Sequence, residues 1–209
     1  MKGKIMAGVV GTVVLAAAVY LKTTYQVARV IDGDTFETKE KQVVRLAGVD
    51  APELKYCGGT EAKQALEKLI LGKRLQIKVV FNDKFKRLVS QVYAGNIYVN
   101  KKMLEQGWAY FARGTDSNAD ELLKAGEKAR AGTLGIFGAG CTQDVNPIQP
   151  KCNIKGNIGQ QGKETKFYRY PGCGQYGNTV VQLYLGDGWF CNEKEARAAG
   201  FVKGSDCKP

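Results

Sequence analysis

The stretch IDGDTFETKEKQVVRLAGVDAPE, Ile31 to Glu53, gathers Asp32, Asp34, Asp50 and Glu53 around Arg45, in a chain whose formal charge is +11. Carboxylates brought close together repel unless a metal ion or an arginine compensates them. The chain has no histidine, which removes Ser-His-Asp hydrolysis, histidine-based nucleases and most zinc hydrolases. What remains is the chemistry of carboxylates, guanidinium groups and a hard metal ion. An EF-hand does not fit: counted from Asp32, the glycine position holds Glu37 and the bidentate glutamate position holds Val43. Taken singly, DGDT reads as a hairpin turn and DAPE as a strand exit bent by Pro52.

The elements that must position these residues are short strands. TYQVARVI, DTFETK and KQVVRLAGV alternate like β-structure, with turns at Asp32-Gly33 and around Lys39 to Lys41, and suggest a meander. In a meander, Asp34 and Asp50 come within reach of one cation. TEAKQALEKLILG then repeats apolar residues at helical spacing, with Thr60 expected as the N-cap and Gly72 as the stop. RLQIKVVF and RLVSQVYAGNIYVN follow as strands, the latter turning at Ala94-Gly95-Asn96, and VNKKMLEQG and ADELLKAGEKARAG read as two further helices. The order fits an α+β chain: a five-stranded OB-type β-barrel with helices packed outside it.

The ends of the chain carry other signals. Two lysines precede an uncharged apolar run from Ile5 to Leu21, the layout of an export signal, with Ala16 and Ala18 at a cleavage site, or of a membrane anchor. Both readings send the rest of the chain, from about residue 25, out of the cytoplasm, secreted or membrane-anchored. All six cysteines (57, 141, 152, 173, 191 and 207) lie beyond that run; an even number in an exported chain reads as disulfides. Residues 142–151 are polar with Pro147 and Pro150, a linker signal, and a small Cys-rich module follows over residues 152–209. The balance of 31 Lys+Arg against 20 Asp+Glu suits a polyanionic partner, nucleic acid or an anionic membrane surface, and also serves solubility.

VIDGDT, VRLAGVDAPE, DKFKR, VNKKMLEQGWA and ARAGTLGIF resemble, in order and spacing, the thermonuclease family typified by staphylococcal nuclease. The resemblance covers about Tyr25 to Gly140 and implies an OB-type barrel acting as a calcium-dependent endonuclease on DNA and RNA, here expected as a monomer. By motif position it implies Asp34 and Asp50 as side-chain calcium ligands and Ala51 as a carbonyl ligand, where the family often has threonine. It further implies Glu53 as the carboxylate that activates water, Arg45 and Arg87 as the phosphate-binding guanidiniums, and Asp32 as an acid behind the metal.

The family's Asp-x-Tyr-Gly-Arg block appears as Asp83-Lys84-Phe85-Lys86-Arg87. Lys86 replaces glycine beside Arg87, which bears on the loop conformation and adds attraction for phosphate; Lys84 and Phe85 are expected to bind substrate, Phe85 keeping a face for base stacking. Related exported nucleases carry cysteines matching Cys57 and Cys141, which implies a bridge between them. The preferred tail pairing is then Cys152 with Cys191 and Cys173 with Cys207. The tail resembles a module found at the C-terminus of some exported bacterial nucleases. Its last part also resembles the metal-binding domain of a DNA-repair methyltransferase, which would put four cysteines on zinc. Against the nuclease stands a non-catalytic OB-type nucleic-acid-binding surface protein, although pure binding has no use for carboxylates beside phosphate.

Overall fold

The computed structural model describes residues 24–113, 118–159 and 165–208. The apolar run Ile5–Leu21 lies outside the described residues, among which no helix is long and apolar enough to cross a membrane.

The meander forms as β1 (Tyr25–Val30), β2 (Thr35–Thr38) and β3 (Val43–Leu46), each antiparallel to the next. The strand expected to run on through Val49 breaks at Gly48, whose φ of 70° lies in the left-handed region, where a Cβ is costly. The chain resumes as β4 (Val49–Asp50). β5 (Arg74–Asn82) and β6 (Leu88–Ala94) form a long hairpin, and β7 (Ile97–Tyr98) folds back on β6. β5 pairs with β1, and β6 pairs in parallel with β3, so five strands close into a barrel.

Helix α1 (Gly59–Ile70) caps the barrel through the i, i+4 stripe Ala62, Leu66 and Ile70, all fully buried. Full burial of Leu66 or Ile70 contributes about 1.5–3 kcal/mol each. Thr60 is not its N-cap: the helix starts one residue earlier, behind Gly58 at φ 82°. The start is fixed by close packing, because a Cβ on Gly59 would lie 2.2 Å from the carbonyl oxygen of Glu53. Gly72, also at positive φ, follows the last turn as expected. α2 (Val99–Glu105) and α3 (Ala119–Ala131) pack on one another, with β8 (Tyr110–Phe111) between them in sequence. Buried Asn100 ties α2 to the barrel: its side chain donates to the carbonyls of Ala47 and Ser90 and accepts from the N–H of Val92.

The cysteines pair as expected: Cys57 with Cys141, Cys152 with Cys191, and Cys173 with Cys207. No thiol is left free, which rules out zinc on four cysteines. Beyond Cys141, β9 (Thr142–Gln143) leads into a four-stranded sheet of β10 (Ile154–Ile158), β11 (Lys166–Arg169), β13 (Gly188–Phe190) and β14 (Val202–Lys203). A short helix, α4 (Glu193–Ala198), closes its small core of Ile154, Tyr168, Ala196 and Phe201.

This module rests on the barrel domain. β12 (Val181–Gln182) pairs with β9, and Leu183 donates its N–H to the carbonyl of Cys141. Tyr184 is buried against Phe137 and Tyr110, with ring centroids 5.9 and 6.0 Å away.

Candidate active site

The β1–β2 turn, β3, β4 and the loop before α1 bring the acidic cluster together. Asp34 is 2% exposed. Its Oδ1 accepts from Arg45 Nη1 at 2.6 Å and from the Thr35 hydroxyl at 2.7 Å, and its Oδ2 accepts from the Ala51 N–H at 3.0 Å. Asp32 stands behind it, accepting the N–H of Asp34 at 3.0 Å. Arg45 gives its other terminal nitrogen to Asp50 at 2.7 Å. The cation within reach of both carboxylates is thus the guanidinium of Arg45. Burial and the neighbouring Asp32 push the Asp34 carboxyl up to about 7, against the pull of Arg45, Ala51 and Thr35. Burial pulls Arg45 down, but Asp34 and Asp50 outweigh it and hold the guanidinium above its ordinary value.

Two positioning contacts were not legible in the sequence. Tyr110, sixty residues further along the chain, donates its hydroxyl to Asp50 Oδ2 at 2.6 Å. The β4–β8 pairing, Asp50 opposite Tyr110, brings them together. Burial, then the Asp50 carboxylate, raises the Tyr110 phenol far above its ordinary value, so it stays a donor. Only the short aromatic-rich run WAYF between two helices offered a signal for a strand there.

The second is Asp83, which organises the β5–β6 hairpin tip. It accepts the N–H groups of Phe85 and Arg87, each at 2.9 Å, and Arg87 Nε at 2.7 Å. Those hydrogen bonds outweigh the effect of burial and hold the Asp83 carboxyl below its ordinary value. Lys86, where the family has glycine, sits at φ 63°, a left-handed conformation costing a non-glycine residue about 1–2 kcal/mol.

Arg45 and Arg87 line one cleft of about 200 Å³. The β3–β6 register sets their separation: Arg45 lies opposite Val89, and Arg87, two residues from Val89, falls on the same face. Arg87 Nε is committed to Asp83, and its terminal nitrogens carry no hydrogen bond among the described residues. Phe85, 66% exposed, carries Arg87 at 5.3 Å and Lys84 at 5.0 Å from its ring centroid. Glu53 is exposed, and its carboxylate has no hydrogen-bond or ion-pair partner among the described residues. Among those residues no group of three or more acidic or cysteine side chains gathers as a metal site; the candidate oxygen donors are Asp34, Asp50 and the carbonyl of Ala51.

The fold is a closed barrel with two carboxylates clamping Arg45 and with Arg45 and Arg87 on one cleft, and comparison gives the family. The family model for staphylococcal nuclease homologues matches residues 43–138, which include Arg45, Asp50, Glu53 and Arg87. An uncharacterized endonuclease of Haemophilus influenzae is 33% identical over 143 residues, covering 66% of this chain and 76% of that protein. Another uncharacterized endonuclease, from Escherichia coli O157:H7, is 30% identical over 131 residues, 60% of this chain and 80% of that protein. The probable staphylococcal-like nuclease CAN2 of rice is 33% identical over 126 residues, 60% of this chain and 32% of the rice protein. The chain spans about a third of the length of the rice relatives it matches. It belongs to the staphylococcal nuclease homologue family.

Proposed function

We propose that this protein is an exported, calcium-dependent endonuclease that hydrolyses phosphodiester bonds of DNA and RNA. The observation that carries the reading is that Arg45, clamped between Asp34 and Asp50, shares a cleft with Arg87. The donor chemistry fits a hard cation. The candidate ligands are oxygens, and the chain has neither histidine nor a free thiol. Asp34, Asp50 and the Ala51 carbonyl would hold calcium, with water and phosphate completing its shell. When bound, calcium supplies Lewis-acid stabilisation of charge growing on the phosphoryl oxygens.

The chain's own residues do the rest. Arg87 offers both terminal nitrogens to the phosphate in a planar fork, and Arg45 offers the N–H groups not used by Asp34 and Asp50. Both hold the extra negative charge of the transition state. Glu53, exposed and unpaired, takes the proton from the attacking water. Tyr110 fixes the rotamer of Asp50 through its hydroxyl. Lys84 and Phe85 hold the adjoining strand at the hairpin tip through charge and stacking. Three disulfides suit an oxidising compartment and support export by the N-terminal apolar run, secreted or membrane-anchored.

The test is to incubate the purified protein with plasmid DNA and with RNA, in calcium and in excess chelator. Cleavage in calcium alone is expected. Retention of both polymers on the protein without cleavage in any divalent metal would favour the non-catalytic binding module instead.

A further inference from the structure

The C-terminal module contributes to a cavity beside the acidic cluster. This second cavity, of about 760 Å³, falls within the size range of small-ligand sites. From the nuclease domain it is lined by Asp50, Tyr110, Arg113 and Leu123, and from the tail by Ile158 and Leu185. Asp50 belongs both to this cavity and to the clamp on Arg45, so the space continues directly from the reacting centre. Among the described residues its walls combine Tyr110, Phe111 and aliphatic side chains with the cation of Arg113. That is a lining for a flat apolar group beside a phosphate.

The tail wall is built to stay in place. Buried Asp187 accepts the N–H of Ile158 at 2.8 Å, the N–H of Gln182 at 2.9 Å and the Asn157 amide at 2.8 Å. One carboxylate thus locks the end of β10 to β12, the strand that enters the turn carrying Leu185. On the far side of that turn, Gly186 presses against Tyr56, where an added Cβ would lie 2.7 Å from the ring. Trp189 donates to the Gln143 side chain at 2.8 Å. Position and rigidity together favour a wall over a spacer.

We propose that Ile158 and Leu185 of the C-terminal module form one wall of a subsite for an unpaired nucleobase next to the scissile phosphate, with Arg113 at the adjoining phosphate. This rests on the nuclease reading and deepens it. A base enters a concave site only when it is out of a duplex, so the module selects single-stranded polymer.

The test uses the full chain. Ile158→Glu and Leu185→Glu place an anion against the strand. For a single-stranded oligonucleotide they should raise KM about tenfold or more, as expected when one base loses its stacking surface. KM for an oligonucleotide that is abasic on both sides of the scissile phosphate, which leaves the subsite empty, should stay within about twofold of wild type. Unchanged KM for the intact oligonucleotide in folded variants would overturn the proposal. A second measurement does not depend on the variants folding. An oligonucleotide carrying a photoreactive thymine analogue, irradiated on wild-type protein in chelator, should crosslink to residues 158 and 185. Crosslinks confined to the nuclease domain overturn the wall. Crosslinking reads binding without turnover, so a protein that crosslinks there but cleaves nothing sinks the nuclease reading and leaves the subsite standing.

Discussion

The Cys57–Cys141 bridge should contribute more to stability than any other single bond in the nuclease domain. It closes a loop with a sequence separation of 84 residues, for which the chain-entropy relation gives about 4.5 kcal/mol at 25 °C. The bridge also lies at a junction. Cys57 is four residues past Glu53 and directly precedes Gly58, while Cys141 supplies the carbonyl that accepts from Leu183 in the tail. Cutting it frees the active-site loop, the end of the barrel domain and the tail seat together. The assay is chemical denaturation and melting of the Cys57→Ala/Cys141→Ala double variant. At about 2–4 °C per kcal/mol for a chain of this size, melting should fall by roughly 10–20 °C. Cleavage measured well below both midpoints should fall several-fold, because the loop carrying Glu53 has lost its anchor. A stability loss under about 1 kcal/mol would refute the reasoning, since the close packing of Gly59 on Glu53 would then hold the loop alone.

Glu53→Gln should lower cleavage about 10²- to 10⁴-fold, the range for loss of a general base, with melting unchanged because the exposed carboxylate has no hydrogen-bond or ion-pair partner among the described residues; full activity at saturating calcium sinks the assignment. Arg87→Ala should lower kcat on the order of a hundredfold with little change in stability, since its ion pair with Asp83 is local and partly exposed; a pure rise in KM would point to binding without catalysis. Lys86→Gly should raise stability by about 1 kcal/mol by removing a left-handed lysine, and an unchanged denaturation midpoint would show that the hairpin tip carries no such cost.

Much of the site was legible because its parts are close in sequence. Asp34, Arg45 and Asp50 fall within one short stretch; the β2–β3 pairing sets Asp34 beside Arg45, and the turn at Gly48 returns Asp50 to the same guanidinium. What escaped depends on distant chain. Nothing near Asp50 announces Tyr110, which arrives through the β4–β8 pairing. Gly48 breaks a strand that apolar alternation carries straight through. Thr60 has the residue type of a cap, but the approach of Gly59 to Glu53 starts the helix before it. Cysteine parity and the family resemblance led to the three bridges. The tail's seat on the nuclease domain, through Tyr184 and the β9–β12 pair, had no signal of period or motif.

The parallel β3–β6 seam has a consequence for how the protein tolerates change. The distance between its two guanidiniums is a property of barrel closure: Arg45 sits in β3 on one side of the seam, and Arg87 directly precedes β6 on the other. A chain lengthened at the β2–β3 turn or at Gly95-Asn96 keeps that distance. A residue inserted between Arg87 and Val89 moves Arg87 off the shared face. Conversely, opening the seam separates the arginines, so that, on the proposed function, phosphate affinity gauges whether the barrel is shut.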